Sequence, residues 1–384
     1  MNPLFAKLPT SIFEKMSALA RAHDAVNLGQ GFPDFGWPQA VLEKAAEAVR
    51  SGSNQYPPMR GLPELREAVA AYYRRRQDLD VQADQVTITS GATEALADAI
   101  MALIEPGDEV LLFQPLYDAY LPLVLRAGGQ PSFVRLSPPD WRITEEALAE
   151  AFTERTRLVV FNNPHNPTAR MFDSEELSLL ARHCVRRDAI VLSDEVWEHL
   201  VFDGRRHIPL SSLPGMAERT VKVGSAGKIF SLTGWKVGWM VAPIELATGL
   251  ANAHQFVTFA TPPPLQAAVA FGLEHAMTEV DDTCRAFTIS RDRLASGLQS
   301  KGFAPLAAEG TYFLSIDLAA SGIGVDDVTF CERAVREAGV AAVPISAFYA
   351  EAPVSSVIRL CFAKKNETLD LGIERLSLAR DLFV

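Results

Sequence analysis

The chain has 384 residues, 48% hydrophobic and 22% charged, the balance of an ordinary globular enzyme with room for two domains. Its 36 basic and 47 acidic side chains leave a net charge of −11, and no basic run occurs, which argues against a nucleic-acid or anionic-membrane partner. The opening "MNPLFAKLPTSIFEKM" has no long apolar run, so the expectation is no signal peptide, no membrane span and a cytoplasmic location.

The first forty residues read as irregular and turn-rich, with "NLGQGFPDFGWP" as the clearest loop. The pattern predicts a helix over Ala40–Ser51, a loop at "NQYPPMRG", and a helix after Leu62 with Pro63 in its first turn. From Val86 the texture becomes strand, turn, helix, strand. "VTIT" precedes a helix opened by "SGAT" and ended by "EPGD", and "EVLLF" follows as a strand. Short apolar runs then recur at Leu158–Phe161, Ala189–Ser193, Thr220–Val223 and Gly238–Ala242, with a helix predicted over Ser174–Arg187. Buried runs alternating with helices predict an α/β fold with a mainly parallel sheet covered on both faces. Past about residue 280 a long charged helix passes through "CRAFTISRDRLASGLQSKG", followed by the strand-like "TYFLSID" and "VIRLCF". The expected organisation is an N-terminal arm (1–40), a large domain (41–279) and a smaller α+β domain (280–384).

In such sheets ligands gather where strands end and helices begin. Four segments lie there: "SGAT" (90–93), "NNPHNPT" (162–168), "SDEV" (193–196) and "GSAGK" (224–228). A phosphate-binding P-loop fails on spacing: only two residues separate Gly224 from Gly227, and Ile229 follows the lysine. No C-x-x-C pair and no H-E-x-x-H motif occurs, so no metal site is expected, and Cys184, Cys284, Cys331 and Cys361 read as reduced thiols. Pyridoxal-phosphate chemistry fits better. It needs an amine, an acid for the pyridine nitrogen, an anion site and, for amino acids, a carboxylate clamp. Lys228 in a Gly-Ser-Ala-Gly turn supplies the amine, and desolvation would lower its pKa. Asp194 ends an apolar strand, where a bare carboxylate is costly unless a cation meets it. Ala92 and Thr93 open a helix, and Ser225 and Lys236 add a hydroxyl and a charge for a phosphate. Arg359 inside "VIRLCF" would clamp a carboxylate. Singly each residue has an ordinary structural role; the joint order along the chain is what argues for chemistry.

The motifs "GQGFPDF", "NQYPPMRGLPELREA", "TSGATEAL", "NNPHNPT", "SDEVWEHL", "GSAGKIFSLTGWKVGW", "GTYFL" and "IRLCFAKKNETL" extend this reading over essentially the full length. Together they resemble the class I/II aminotransferases of pyridoxal-phosphate fold type I, most of all the methionine and kynurenine (glutamine/aromatic) branch. The resemblance implies Lys228 as the Schiff-base lysine and proton shuttle, Asp194 on the pyridine nitrogen, Asn166 on the phenolic oxygen and Tyr117 against the ring. It implies Ala92, Thr93, Ser225 and Lys236 around the phosphate. Tyr56 would reach the phosphate of the neighbouring subunit of a homodimer. Arg359 would bind the substrate carboxylate with the Gly31 backbone and Asn166.

Two positions depart from the family pattern. Trp197 stands where D-E-V-Y has tyrosine, and an indole N–H donates but neither accepts nor ionises. The expectation is that Trp197 donates to the phenolic oxygen with altered geometry or leaves Asn166 as its main partner. Ala169 takes the glycine place after Asn-Pro-Thr, from which a less strained turn is expected. No second arginine for a side-chain carboxylate is evident, and Trp37, Phe32, Tyr117, Phe259 and Phe348 are candidates for an apolar pocket. The expected donors are therefore large neutral amino acids (methionine, phenylalanine, tyrosine, tryptophan, kynurenine, glutamine), with a 2-oxo acid acceptor and a ping-pong cycle. A cysteine-conjugate carbon–sulfur β-lyase is the alternative on the same scaffold. A transcription-regulator effector domain is disfavoured by the acidic charge and the absence of a basic helix-turn-helix segment in the sequence.

Overall fold

A computed structural model describes all 384 residues. The N-terminal region is more ordered than its composition suggests. Helices Pro3–Lys7 and Ile12–Ala22 precede strand β1 (Val26–Asn27). The second helix starts where Ser11 accepts a bond from the Glu14 N–H, and it buries Met16, Ser17 and Ala20. Its apolar stripe is short and interrupted by Glu14 and Lys15, so turn composition masked it. Helices Gln39–Ser51 and Pro63–Gln77 follow, within a residue or two of the expected spans.

The large sheet contains β2 (Val86–Thr89), β3 (Glu109–Gln114), β4 (Gln130–Arg135), β5 (Thr156–Asn162), β6 (Ile190–Asp194), β7 (Thr220–Ser225) and β8 (Gly238–Val241). Their spatial order is β2-β8-β7-β6-β5-β3-β4. Pairing is parallel except around β8, which is antiparallel to both β2 and β7. Strands β2, β3, β5, β6 and β7 are buried at almost every position, which is why they read as continuous apolar runs. Strand β4, "QPSFVR", is half exposed at the sheet edge and carries Pro131, and its sequence gave no strand signal. The helix Ala92–Leu103 packs Leu96, Ala99 and Ile100 into the same core as Leu192, Val221 and Val223.

The register places the site. Asn162 pairs with Asp194, Asp194 with Val223, and Ser225 with Gly238, so the carboxyl ends of β5, β6 and β7 lie side by side. Gly238 also pairs with Thr89, which brings the "SGAT" turn to the same edge. A Cβ on Gly238 would come 2.6 Å from the Gly91 carbonyl carbon and 2.7 Å from the Ala92 nitrogen, so only glycine lets these strands meet there.

The helix Met277–Ser300 leads away from the large sheet and packs on the C-terminal helix Asn366–Arg380. The second sheet is built from β9 (Ala304–Pro305), β10 (Phe313–Asp317), β12 (Val343–Pro344) and β13 (Val357–Cys361), in the antiparallel order β12-β13-β10-β9. Between them, β11 (Val340–Ala341) pairs parallel with β1, tying the N-terminal arm to this region. No helix is long and apolar enough to cross a membrane.

Candidate active site

A cavity of about 200 Å³ opens at the carboxyl ends of β5, β6 and β7. Nine of the sequence-nominated residues line it: Ala92, Thr93, Tyr117, Asn166, Asp194, Trp197, Ser225, Lys228 and Lys236.

Asp194 is buried, accepts a 2.6 Å bond from the Tyr120 hydroxyl and accepts from the Val196 N–H at 3.3 Å. Burial pushes its pKa up to about 6, although Tyr120, the Val196 N–H and Lys228 all favour the charged form. A carboxylate so placed calls for a cation in the cavity it faces. Lys228 follows in the one-turn helix Ala226–Ile229. Burial lowers its pKa to about 8, with Arg359 and Lys236 acting in the same direction against Cys361 and Asp194. Its Nζ donates to the Tyr312 hydroxyl at 3.0 Å and sits 4.5 Å from the centre of the Trp197 ring.

The anion turn is built on Gly91, whose φ of +76° precedes the helix at Ala92. Gly91, Ala92 and Thr93 at that helix start line the cavity, and Lys236 Nζ lies 3.5 Å from Thr93 Oγ1. Behind the turn, Glu94 accepts from the Ser90 N–H and from Thr258 and lies 3.0 Å from His254 Nδ1. Burial opposes the His254 charge, but the nearby Asp98 and Glu94 carboxylates outweigh it and raise its pKa to about 9. A charged ring thus braces the turn from below.

Arg359 is fully buried on β13. One guanidinium nitrogen donates to Asn166 Oδ1 at 2.8 Å and another to the Gly29 carbonyl at 3.3 Å, while Nε has no partner. The guanidinium lies 3.8 Å from the Phe313 ring centre and about 5 Å from those of Phe13 and Phe348. Burial pulls its pKa to about 10, which leaves it charged at neutral pH. An orphaned donor on a caged, charged fork beside Asn166 fits a substrate carboxylate. Gly31 is linked to the same cluster, because Tyr312 donates to its carbonyl at 2.7 Å.

Other sequence-nominated residues lie elsewhere. Tyr56 is 86% exposed, packs edge-on against Phe259 and does not enter this chain's cavity. Phe32 lies under Lys364, Trp37 is half exposed, and Phe348 flanks Arg359, so of the five aromatic candidates only Tyr117 lines the cavity. Trp197 is buried, with an edge-on contact to Tyr312 at 4.5 Å, and its indole N–H makes no hydrogen bond within the protein. The expectation about Ala169 is corrected: it adopts φ +63°, the left-handed region that disfavours a side chain, so the turn is more strained than with glycine.

Sequence reasoning missed three participants. Asn162 lines the cavity, donates to the Asp194 carbonyl at 2.7 Å and accepts from the Asn166 N–H at 2.7 Å. Tyr120 holds Asp194, and Tyr312 joins Lys228 to Gly31. Asn162 and Tyr312 fall inside motifs singled out above ("NNPHNPT", "GTYFL") and Tyr120 lies three residues after Tyr117, but nothing in their spacing shows which way they point. Two clusters also have metal-ligand composition: Glu94–Asp98–His254 and Glu195–Glu198–His207. In the second, Lys222 Nζ bonds both carboxylates and is itself the cation.

The profile of the family "Aminotransferase class I and II" matches residues 23–376. The chain belongs to this family. Its relatives include a probable N-succinyldiaminopimelate aminotransferase of Mycobacterium tuberculosis, 43% identical with 96% of each chain covered. The solved structure of the M. tuberculosis enzyme superposes with a TM-score of 0.96 over 99% of this chain and 100% of that one. The methionine aminotransferase of Escherichia coli is 42% identical over 98% of both chains. Kynurenine–oxoglutarate transaminase 1 of Mus musculus is 36% identical, covering 94% of this chain and 93% of its own. The protein is thus a fold type I aminotransferase, and the cofactor of its class is pyridoxal 5'-phosphate.

The aminotransferase site fits that cofactor. The buried Asp194, whose pKa burial raises despite its hydrogen bonds, suits a protonated pyridine nitrogen, and the Gly91–Thr93 turn with Lys236 suits a phosphate. When bound, the cofactor supplies an electron-withdrawing ring that stabilises negative charge at the substrate Cα.

Proposed function

We propose that this aminotransferase moves the α-amino group of a large neutral amino acid to a 2-oxo acid in a ping-pong cycle. The observation that carries the reading is the arrangement of Lys228, Asn166 and Arg359. Arg359, fixed by Asn166, would orient the substrate carboxylate so that its Cα faces Lys228 Nζ. Lys228, whose pKa burial lowers to about 8, would take the proton from the substrate Cα and deliver it to the cofactor carbon. Tyr117 would cover the ring, and Ala92, Thr93, Ser225 and Lys236 would hold the phosphate. The methionine and kynurenine relatives support the large neutral class of donor. We also propose a homodimer in which the exposed Tyr56 reaches the neighbouring phosphate, and the division into arm, large domain and small domain at 40/41 and 279/280.

The test is an amino-donor panel with the cofactor-loaded protein and 2-oxoglutarate, following the 2-oxo acid formed. Methionine, phenylalanine or kynurenine should exceed aspartate in kcat/KM by at least about tenfold. A second reading, favoured by the 43% relative, is a succinylated diaminopimelate donor; a preference for it of similar size would displace the first. Parallel double-reciprocal plots are expected. Lys228→Ala should abolish turnover, and retained turnover would refute the assignment.

A further inference from the structure

The helix Ile244–Val257 supplies no residue to the reaction proposed above, yet its last turn and the residues after it meet two segments of the phosphate site at once. On one side is the Ser90–Thr93 turn. His254 Nδ1 lies 3.0 Å from Glu94 Oε1, the Thr258 hydroxyl donates to the same oxygen, and the Thr261 and Ser90 hydroxyls are 3.4 Å apart. Glu94 passes the contact on, because its other oxygen accepts from the Ser90 N–H. On the other side is the loop that presents Tyr56. His254 Nε2 lies 3.0 Å from the Met59 carbonyl, and Phe259 packs edge-on against Tyr56 with ring centres 5.7 Å apart.

These partners fix the protonation of His254. A carbonyl only accepts, so Nε2 carries a proton. Nδ1 faces Glu94 and, at 3.6 Å, Asp98 Oδ2. Glu94 already takes donors from Ser90 and Thr258, which favour its ionised form, so Nδ1 carries a proton as well. His254 and Asp98 are fully buried, and neither oxygen of Asp98 has a hydrogen-bond partner. A cation in the last turn offsets the helix dipole, and that ordinary role would suffice for a histidine there. It does not explain two buried carboxylates around the ring. Nor does it explain Phe259 at φ +67°, a left-handed conformation that a bulky side chain keeps only where its surroundings impose it.

We infer that His254 is a positioning residue for cofactor binding: a buried imidazolium that locks the Ser90–Thr93 turn of one active site to the loop carrying Tyr56 into the other. The inference rests on the homodimer reading given above, in which Tyr56 reaches the neighbouring phosphate. A phosphate on the turn is felt by His254 through Glu94, and His254 in turn holds the Met59 carbonyl. Tyr56, three residues before Met59, is then delivered to the partner's phosphate at a lower ordering cost.

The test starts from the full-length chain loaded with pyridoxal 5'-phosphate. It is dialysed against graded concentrations of the free cofactor, or of pyridoxal, which lacks the phosphate, and absorbance reads the bound fraction. In His254→Gln the amide can donate to Glu94 or to Met59 but carries no charge. Affinity for pyridoxal 5'-phosphate should fall at least about tenfold, while affinity for pyridoxal stays within about twofold. Thr258 is exposed, so Thr258→Val provides a folded check, and it should shift in the same direction. In Tyr56→Phe the affinity for pyridoxal 5'-phosphate should also fall. In the double variant Y56F/H254Q the loss should be at least about threefold smaller than the product of the two single losses. Unchanged affinity in Tyr56→Phe overturns the dimer reading and the link with it. A loss in Tyr56→Phe that multiplies fully with that of His254→Gln overturns the link alone. Equal losses of both ligands in His254→Gln assign the ring to the fold and overturn the inference as well.

Discussion

Trp197 lies where the local chemistry is most unusual. Its ring face sits against Lys228 Nζ, its edge against Tyr312, and its N–H is uncommitted within the protein. A tyrosine there would place a hydroxyl, able to donate, accept and ionise, where the indole offers only a donor. The absorbance of the bound cofactor should therefore titrate at a different pH in Trp197→Tyr, and superimposable titration curves would sink the idea. Tyr120 is the second residue whose effect can be read directly. Its hydroxyl favours the charged form of Asp194 against burial, which alone pushes that carboxyl up. In Tyr120→Phe the Asp194 pKa should rise further, because the charged form loses this hydrogen bond. The acid limb of the pH–kcat/KM profile should move to higher pH, with little change above pH 8. A profile that merely scales down, without moving, would assign Tyr120 a packing role only.

At the scale of elements, the loop after β5 shows how much of the site was legible and where legibility stopped. The four strand-end motifs located six of the nine nominated cavity residues, because strand ends in a parallel sheet are forced to one edge by the register Asn162–Asp194–Val223; Tyr117, Trp197 and Lys236 lie outside those motifs. Directions of side chains were not legible. Asn162, Tyr120 and Tyr312 act through contacts 32, 74 and 84 residues away in sequence, which no local pattern encodes. Strand β4 and the Ile12–Ala22 helix escaped for the opposite reason: their local patterns are weak, and tertiary packing decides them. The helix Ser174–Arg186 is locally encoded and makes a clean test. Asp173 accepts from the Glu175 and Glu176 N–H groups at 3.0 and 2.9 Å, and Glu176 accepts from the Asp173 N–H at 3.1 Å, a reciprocal cap. Asp173→Ala should cost about 1 kcal/mol in urea unfolding, whereas Asp173→Asn should recover most of it. Equal losses in both would mean that charge, through Arg142, matters more than the cap.

The whole molecule hangs its catalytic segment on a buried ionic network, and this sets how the fold should respond to acid. Lys222 on β7 bonds Glu195 and Glu198, and His207 lies 2.6 Å from Glu195, all with side chains at most 4% exposed. Burial alone would raise the Glu195 pKa, but Lys222 and His207 outweigh it and hold the value at about 2. Burial likewise opposes the Lys222 charge, and the two glutamates outweigh it, so its pKa is raised. A carboxyl whose folded pKa is depressed contributes stability that is complete above its unfolded pKa, near 4.3, and is lost as pH falls through the folded value. Stability should therefore drop from about pH 4 to pH 2, and the drop should be shallower when this network is removed as a unit. Breaking it singly is a different matter. Lys222→Met leaves Glu195 and Glu198 buried without their cation and should cost roughly 3–5 kcal/mol near neutral pH. Partial relief should follow acidification in that variant, because a protonated glutamate no longer needs the lysine. A melting temperature for Lys222→Met that falls in parallel with the unmodified protein between pH 7 and pH 4 would show that the network contributes packing and not charge.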